Sequence, residues 1–134
     1  MSARLGELDA LGLSVPEVKR LERLYANSAL PTRELPPALA QLYDGGLGFE
    51  GPRVYANFVS SIDGVVALPS VDASPSVISR KSEGDRFVMG LLRASADVVL
   101  VGAGTLRAEP EHRWTPEFIY PEASDGFRDL RREL

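Results

Sequence analysis

Val98-Val99-Leu100-Val101-Gly102-Ala103-Gly104-Thr105-Leu106-Arg107-Ala108-Glu109 is the stretch on which the reading of this chain turns. Four consecutive apolar residues make a run of strand length with no polar alternation, the pattern of a strand covered on both faces. Two glycines one residue apart follow, and then residues that favour a helix. At the carboxyl end of a parallel strand such glycines allow a sharp turn. They also let backbone N–H groups approach a phosphate, and the helix behind them adds its positive end. Thr105 adds a hydroxyl. The plainer reading is a tight strand-to-helix turn whose glycines serve only their dihedral angles, and short Gly-x-Gly patterns are common. On these residues alone both readings stand.

Working upstream, Ser79 or Ser82 can cap a helix reaching to about Ala94. Glu83 and Asp85 lie where acids favour the positive helix end. Phe87, Val88, Leu91 and Leu92 form its buried stripe. Before it, residues 69–75 read as a loop and Val65-Val66-Ala67 as β structure. Val54 to Val59 reads as a strand apolar in both alternation phases. Strand, helix and buried strand make a βαβ unit whose two strands run parallel. Ser60-Ser61-Ile62-Asp63-Gly64 then falls at the same rim as the Gly102 loop, where ligands of open α/β sheets bind. Its alternative is a polar turn in which Asp63 bonds its own backbone and Gly64 supplies a positive φ. Asn57, a polar side chain on an apolar strand, is either a core hydrogen bond or a pocket wall.

Downstream, Glu109 lies at i+4 from Thr105, so the two share a helix face. There it is either a carboxylate that orients a substrate or relays a proton, or a solvated helix acid. His112, Arg113 and Trp114 read as a loop cluster. Pro110, Pro116 and Pro121 predict irregular chain over 110–123. Ser124-Asp125 then caps a last amphipathic helix with Phe127, Leu130 and Leu134 on one face. At the other end, Ser14-Val15-Pro16-Glu17 is a capping box. With Val18, Leu21, Leu24 and Tyr25 at helical spacing it predicts a helix over about 15–27. Pro36 to Tyr43 predicts a second, short helix closed by Asp44-Gly45-Gly46.

Composition narrows the function classes. The 134 residues hold 15 Lys+Arg against 19 Asp+Glu, a formal net charge of −4. That balance argues against a nucleic-acid partner, which needs a clustered cationic surface. With no cysteine, the chain has no disulfide, thiolate zinc site or cysteine nucleophile. A single histidine leaves no His-rich metal cluster, and no metal site is expected. No apolar run approaches the roughly 20 residues of a membrane span. Met1 to Glu7 lacks the apolar core of a signal peptide. A cytoplasmic protein acting on a small molecule is the expectation.

Taken together, Val54-Tyr-Ala-Asn-Phe-Val-Ser-Ser-Ile-Asp-Gly64, Ile78-Ser79, Asp85, Leu92-Arg93-Ala94 and Ala96-Asp97 through Glu109 resemble the pyrimidine reductase family of riboflavin biosynthesis. This is the reductase domain of the bifunctional deaminase-reductase, with a dihydrofolate reductase-like fold. The resemblance covers roughly residues 52–110. Ser-x-Asp-Gly combined with Gly-x-Gly-Thr-x-x-Ala-Glu is far more specific than either part. It implies an NADPH-dependent oxidoreductase, similar to 5-amino-6-(5-phosphoribosylamino)uracil reductase, that transfers hydride to a heterocyclic, pyrimidine- or pterin-like substrate. By the same resemblance Ser61, Gly102, Ala103, Gly104 and Thr105 border the cofactor. Asn57 and Ser79 face the substrate, and Glu109 and Asp63 are the catalytic candidates.

The sequence departs from the family at two places that contact the substrate's sugar-phosphate. Val77 stands where a Trp is frequent, and Pro110-Glu-His-Arg-Trp-Thr115 replaces an Asn-Pro-x-Leu-Thr pattern. The implied fold class is α/β, an incomplete dihydrofolate reductase-like three-layer βαβ core. Residues 1–51 form a helical N-terminal extension and residues 52–134 the N-terminal part of the reductase domain. Completion of the sheet then calls for a homodimer or a C-terminal half. The alternatives are a non-catalytic truncated relative, serving as a ligand-binding or assembly module, and a flavin or deazaflavin binder.

Overall fold

The computed structural model describes residues 20–48, 51–66, 68 and 74–134. Within them the organising element is a helix, α3, and the elements are introduced around it. In chain order they are β1 (Leu21–Glu22), α1 (Pro37–Ala40), β2 (Tyr43–Asp44), α2 (Ser74–Ile78), α3 (Glu83–Ala94), α4 (Ala103–Ala108), α5 (Pro116–Ile119), a 3₁₀ turn (Pro121–Ala123) and α6 (Ser124–Glu133).

α3 forms where local chemistry is most consistent. The Ser82 hydroxyl accepts from the Asp85 N–H at 3.4 Å, and Glu83 and Asp85 occupy the first turn with Arg93 in the last. Phe87, Leu91 and Ala94, at i, i+4 and i+7, are buried against Phe127 and Leu130 of α6, Leu39 of α1, and Leu35, Tyr120 and Ala123. Phe87 stacks on Phe127 with ring centroids 6.1 Å apart and meets the edge of Tyr120 at 5.6 Å. At Gly90 a β-carbon would lie 2.7 Å from the Phe127 ring, so the close approach of α3 and α6 requires glycine there. Side chains supply much of the helix-end bonding. Arg86 donates twice to the Ile119 carbonyl, at 3.0 and 2.8 Å, and Arg131 donates to the Arg93 carbonyl at 3.1 Å.

The N-terminal segment joins this core. β1 and β2 pair in parallel, Leu21 with Tyr43 and Glu22 with Asp44. Arg33 and Leu47 form an antiparallel bridge, and Leu35 and Leu39 are buried against the C-terminal helices. The part of the expected 15–27 helix up to residue 19 lies outside the described residues. Residues 20–27 are not helical: Leu21 is taken up by β pairing, and Leu24 and Tyr25 are 93% and 83% exposed. With nothing to cover the apolar stripe, helical spacing alone does not hold a helix. The short helix expected over Pro36–Tyr43 is present as α1 but ends at Ala40, because Tyr43 and Asp44 pair with β1 as β2.

The expected strands are corrected as well. Among the described residues Val54–Val59 and Val98–Val101 make no ladder, and Val65-Val66 joins none; residue 67 lies outside the described residues. Val54, Phe58, Val98 and Leu100 are between 71% and 96% exposed. A strand is stabilised by its neighbours, and these segments find none among the described residues, so the βαβ unit does not close. The parallel β1–β2 pair and the helices make a mixed α and β structure.

The region 110–123, expected to be irregular, is so over 110–115 but helical over Pro116–Ile119 and Pro121–Ala123. Pro116 and Pro121 each stand in the first turn of a helix, where a missing N–H costs nothing, and Thr115 caps α5 by accepting from Phe118 N–H at 3.3 Å. The last helix is present as α6 with Phe127 and Leu130 buried, whereas Leu134 is 61% exposed. Ser124 does not cap it; its hydroxyl donates back to the Pro121 carbonyl at 2.7 Å.

Candidate active site

Three groups hold the sequence-predicted site residues other than Ser79. In the first, Gly64 N–H donates to the Ser61 carbonyl at 2.9 Å, Ser61 N–H donates to the Val65 carbonyl at 3.0 Å, and Gly64 has φ +87°. That is the bonding of a three-residue hairpin loop, whose last position takes a left-handed glycine. The Ser61 hydroxyl accepts from Val65 N–H at 3.0 Å and donates to the Asp63 carboxylate. That bond, followed by Asp63's own backbone N–H, holds the Asp63 carboxyl below its ordinary value of 3.8. Ser61 and Asp63 are thus brought together, while Asn57 stands exposed on the segment before them.

The second group is the Gly102 segment. Gly102 is the N-cap of α4 at φ −69°, ψ 143°, and Gly104 lies inside the helix. Neither has a positive φ. A β-carbon on Gly104 would meet nothing within 4 Å, and one on Gly102 only the Thr105 hydroxyl at 4.0 Å. Ala103, Gly104 and Thr105 are all exposed. The glycines are therefore demanded neither by dihedral angles nor by packing, so a turn-only account leaves them unexplained. They leave bare backbone facing outward, which suits a phosphate-bearing group such as that of a dinucleotide.

Glu109 ends α4 and begins the third group. Its Oε2 lies 3.1 Å from Nδ1 of His112, three residues on. The His112 ring packs on Trp114, centroids 4.3 Å apart, and on the edge of Phe118 at 4.9 Å. From α3 comes Arg93, buried, its guanidinium 5.1 Å from the Trp114 ring centre, with Nη1 3.5 Å from His112 Nε2 and Nη2 3.3 Å from Met89 Sδ. Burial pushes the Arg93 guanidinium down from its ordinary value, and Glu109 opposes it. Burial likewise lowers the His112 imidazole below 6.5, opposed by Glu109 and assisted by Arg93. The sequence placed Glu109 but did not foresee Arg93, Met89 or Phe118 around it. The i, i+4 spacing of Met89 and Arg93 beside the buried stripe was the available signal.

Ser79 lies apart from these groups, its hydroxyl 3.5 Å from the Ser76 carbonyl in the turn after α2. Among the described residues no hydrogen bond or ion pair joins the Ser61 turn to the Gly102 segment. A tether does link their approaches. Tyr55 Oη donates to the Leu92 carbonyl near the end of α3, and burial together with the charge of Asp97 raises the Tyr55 phenol above 10.0. The start of the 54–59 segment is thereby held at the end of α3, within reach of the charge of Asp97.

A family model for the RibD C-terminal domain matches residues 52–123, more than half of the chain. The chain belongs to this family. RibD C-terminal domains are the reductase-like domains of riboflavin biosynthesis, and the matched span includes all three groups and ends at Ala123, immediately before α6. The N-terminal segment and α6, which lie outside the RibD match, nevertheless supply Leu35, Leu39, Phe127 and Leu130 to its core. No curated protein and no solved structure matches the chain. Among the described residues no helix is long and apolar enough to cross a membrane.

Proposed function

We propose that the protein is an NADPH-dependent reductase of the cytoplasm that delivers hydride to a heterocyclic, pyrimidine- or pterin-like substrate. The observation that carries this reading is the bare glycine backbone of Gly102 and Gly104, in a chain of the RibD C-terminal domain family. Gly102, Ala103 and Gly104 would hold the cofactor's phosphates through their N–H groups, with the Thr105 hydroxyl as a further donor. The cofactor supplies the hydride when bound. Ser61 and Asp63 shape the turn that would border the nicotinamide, and Asn57 and Ser79 are assigned to the substrate. Glu109 is the carboxylate that faces it. The Tyr55 tether supports a common rim for Ser61 and Gly102 once the 54–59 and 98–101 segments gain strand partners. A second copy of the chain, or a C-terminal half, is assigned that role.

NADPH titration followed by nicotinamide fluorescence tests the cofactor assignment. Oxidation of NADPH with 5-amino-6-(5-phosphoribosylamino)uracil tests the substrate class. Gly104→Val should abolish NADPH binding while leaving the fold intact, because its side chain enters open space. Unchanged affinity in that variant would remove the phosphate assignment.

A second reading, a ligand-binding or assembly module without catalysis, is favoured by the exposure of Val98 and Leu100, which leaves the rim without a completed sheet behind it. NADPH binding without turnover, with no gain when the partner strands are supplied, would select it.

A further inference from the structure

We infer that His112 is a positioning residue, one that passes the directional pull of a buried arginine to Glu109 and fixes that carboxylate as a hydrogen-bond acceptor toward the substrate. The inference starts from what each group can do. A guanidinium has only donors. Arg93 Nη1 faces His112 Nε2 at 3.5 Å, so a proton on Nε2 would set two N–H groups against each other. Nε2 therefore keeps its lone pair, and the single ring proton of neutral His112 sits on Nδ1. From there it is donated to Glu109 Oε2 at 3.1 Å. Donor direction runs one way, from Arg93 through His112 to Glu109.

Every group around the ring supports that order. The titratable and charged groups facing His112 are Arg93 from α3 and Glu109 from the end of α4. Its other neighbours are the Trp114 and Phe118 rings, which hold the imidazole plane and accept no proton. Burial and Arg93 both act against a second ring proton. Because Arg93 is buried and its guanidinium packs on Trp114 and Met89, the chain is anchored in the protein rather than in solvent.

The chemical consequence rests on Glu109 facing the substrate, as proposed above. With Oε2 held by His112 and about a third of the side chain exposed, Oε1 is the atom offered outward. Toward the substrate it acts as an acceptor. The ligand group that fits is an N–H donor, an amino or ring N–H of a heterocycle. A ring nitrogen lone pair or a carbonyl oxygen does not fit. Glu109 is thereby assigned to orientation of the substrate.

His112 is the only histidine in the chain, so long-range ¹H–¹⁵N spectra of the full chain show a single imidazole. A neutral ring protonated at Nδ1 near neutral pH is the expected result. A ring protonated at Nε2, or two tautomers in exchange, overturns the relay. This readout needs no ligand and stands apart from the proposed reaction.

In the NADPH oxidation assay, His112→Phe keeps the aromatic contacts and removes the donor, and should raise KM for the pyrimidine about tenfold with a smaller change in kcat. His112→Asn places an amide N–H near the position of Nδ1 and should restore most of that loss. His112→Gln, whose amide falls nearer Nε2, should not. If His112→Phe lowers thermal stability but leaves KM unchanged, the positioning role is lost and the histidine is packing alone. An inactive wild-type protein with an Nδ1 proton would remove the assigned reaction and leave the Arg93–His112–Glu109 relay standing.

Discussion

Arg80 and Lys81 both adopt positive φ, 52° and 55°, in the connection between α2 and α3. Their N–H groups close the end of α2, Arg80 on the Val77 carbonyl at 3.2 Å and Lys81 on the Ser76 carbonyl at 3.0 Å. A residue with a β-carbon gives up about 1–2 kcal/mol in that conformation, whereas glycine gives up almost none. Glycine's freer unfolded chain takes back roughly 0.5–1 kcal/mol. Lys81→Gly should therefore stabilise the protein by up to about 1 kcal/mol, read as a rise in the urea midpoint; a fall would show that the lysine side chain itself contributes. At the same scale, His112 links stability to pH. Its folded value lies below 6.5, so between the two values the unfolded chain binds the proton more readily than the folded one. Stability from this group is complete above 6.5 and declines as pH falls beneath it. Denaturation midpoints at about pH 7.5 and about pH 5.5 should differ in that direction, and His112→Phe should shrink the difference. Asp85, raised from 3.8 by burial, acts with the opposite sign.

Among the elements, two of the helical glycines, Gly90 and Gly104, should separate fold from function. At Gly90 an alanine gains about 1 kcal/mol of helix propensity. It also drives its β-carbon to 2.7 Å from a Phe127 ring already held against Phe87. Overpacking of this kind costs about 1–3 kcal/mol, so Gly90→Ala should lower the melting temperature. Gly104→Ala should raise it slightly, since the same propensity gain meets open space, and should weaken NADPH binding. A melting temperature that falls for Gly104→Ala would mean that the helix, not a ligand, selects glycine there. The contrast also explains what could be read from sequence. α3 was legible because its Ser82 cap, its acidic first turn and the 87–91–94 stripe are all local. Helical spacing at Leu21, Leu24 and Tyr25 misled because pairing between β1 and β2 claimed Leu21 and no surface covered the other two. Pro116 and Pro121 were read as breakers, although a proline in the first turn starts a helix as readily as it ends one. In the site, Glu109 and His112 were visible as separate residues three apart. Arg93 arrives from another helix 16 positions before Glu109, and its i, i+4 spacing from Met89 marks a helix face without joining it to them.

For the molecule as a whole, helices close a core while the apolar β segments stay outside it. Helix bonding is internal to each segment, so α1, α3, α5 and α6 close on one another's faces. A strand's N–H and C=O groups require a neighbouring strand, which is why Val98–Val101 could be recognised as strand-like and still lack a ladder. Val54, Phe58, Ile62, Val98 and Leu100 are each at least 71% exposed. Monomeric surfaces rarely leave many large apolar side chains uncovered in this way, and unpaired strand backbone attracts further strands. If a second copy completes the sheet, sedimentation velocity should show mass increasing with concentration, and NADPH affinity should rise in parallel because the rim is ordered by the same event. Leu100→Lys, a charge on an edge that contributes little to the helical core, should leave the thermal midpoint of a dilute sample within about 0.5 kcal/mol of wild type and suppress the association. A protein that stays monomeric at every concentration, and is unchanged by Leu100→Lys, would assign completion of the sheet to other β structure instead of a second copy.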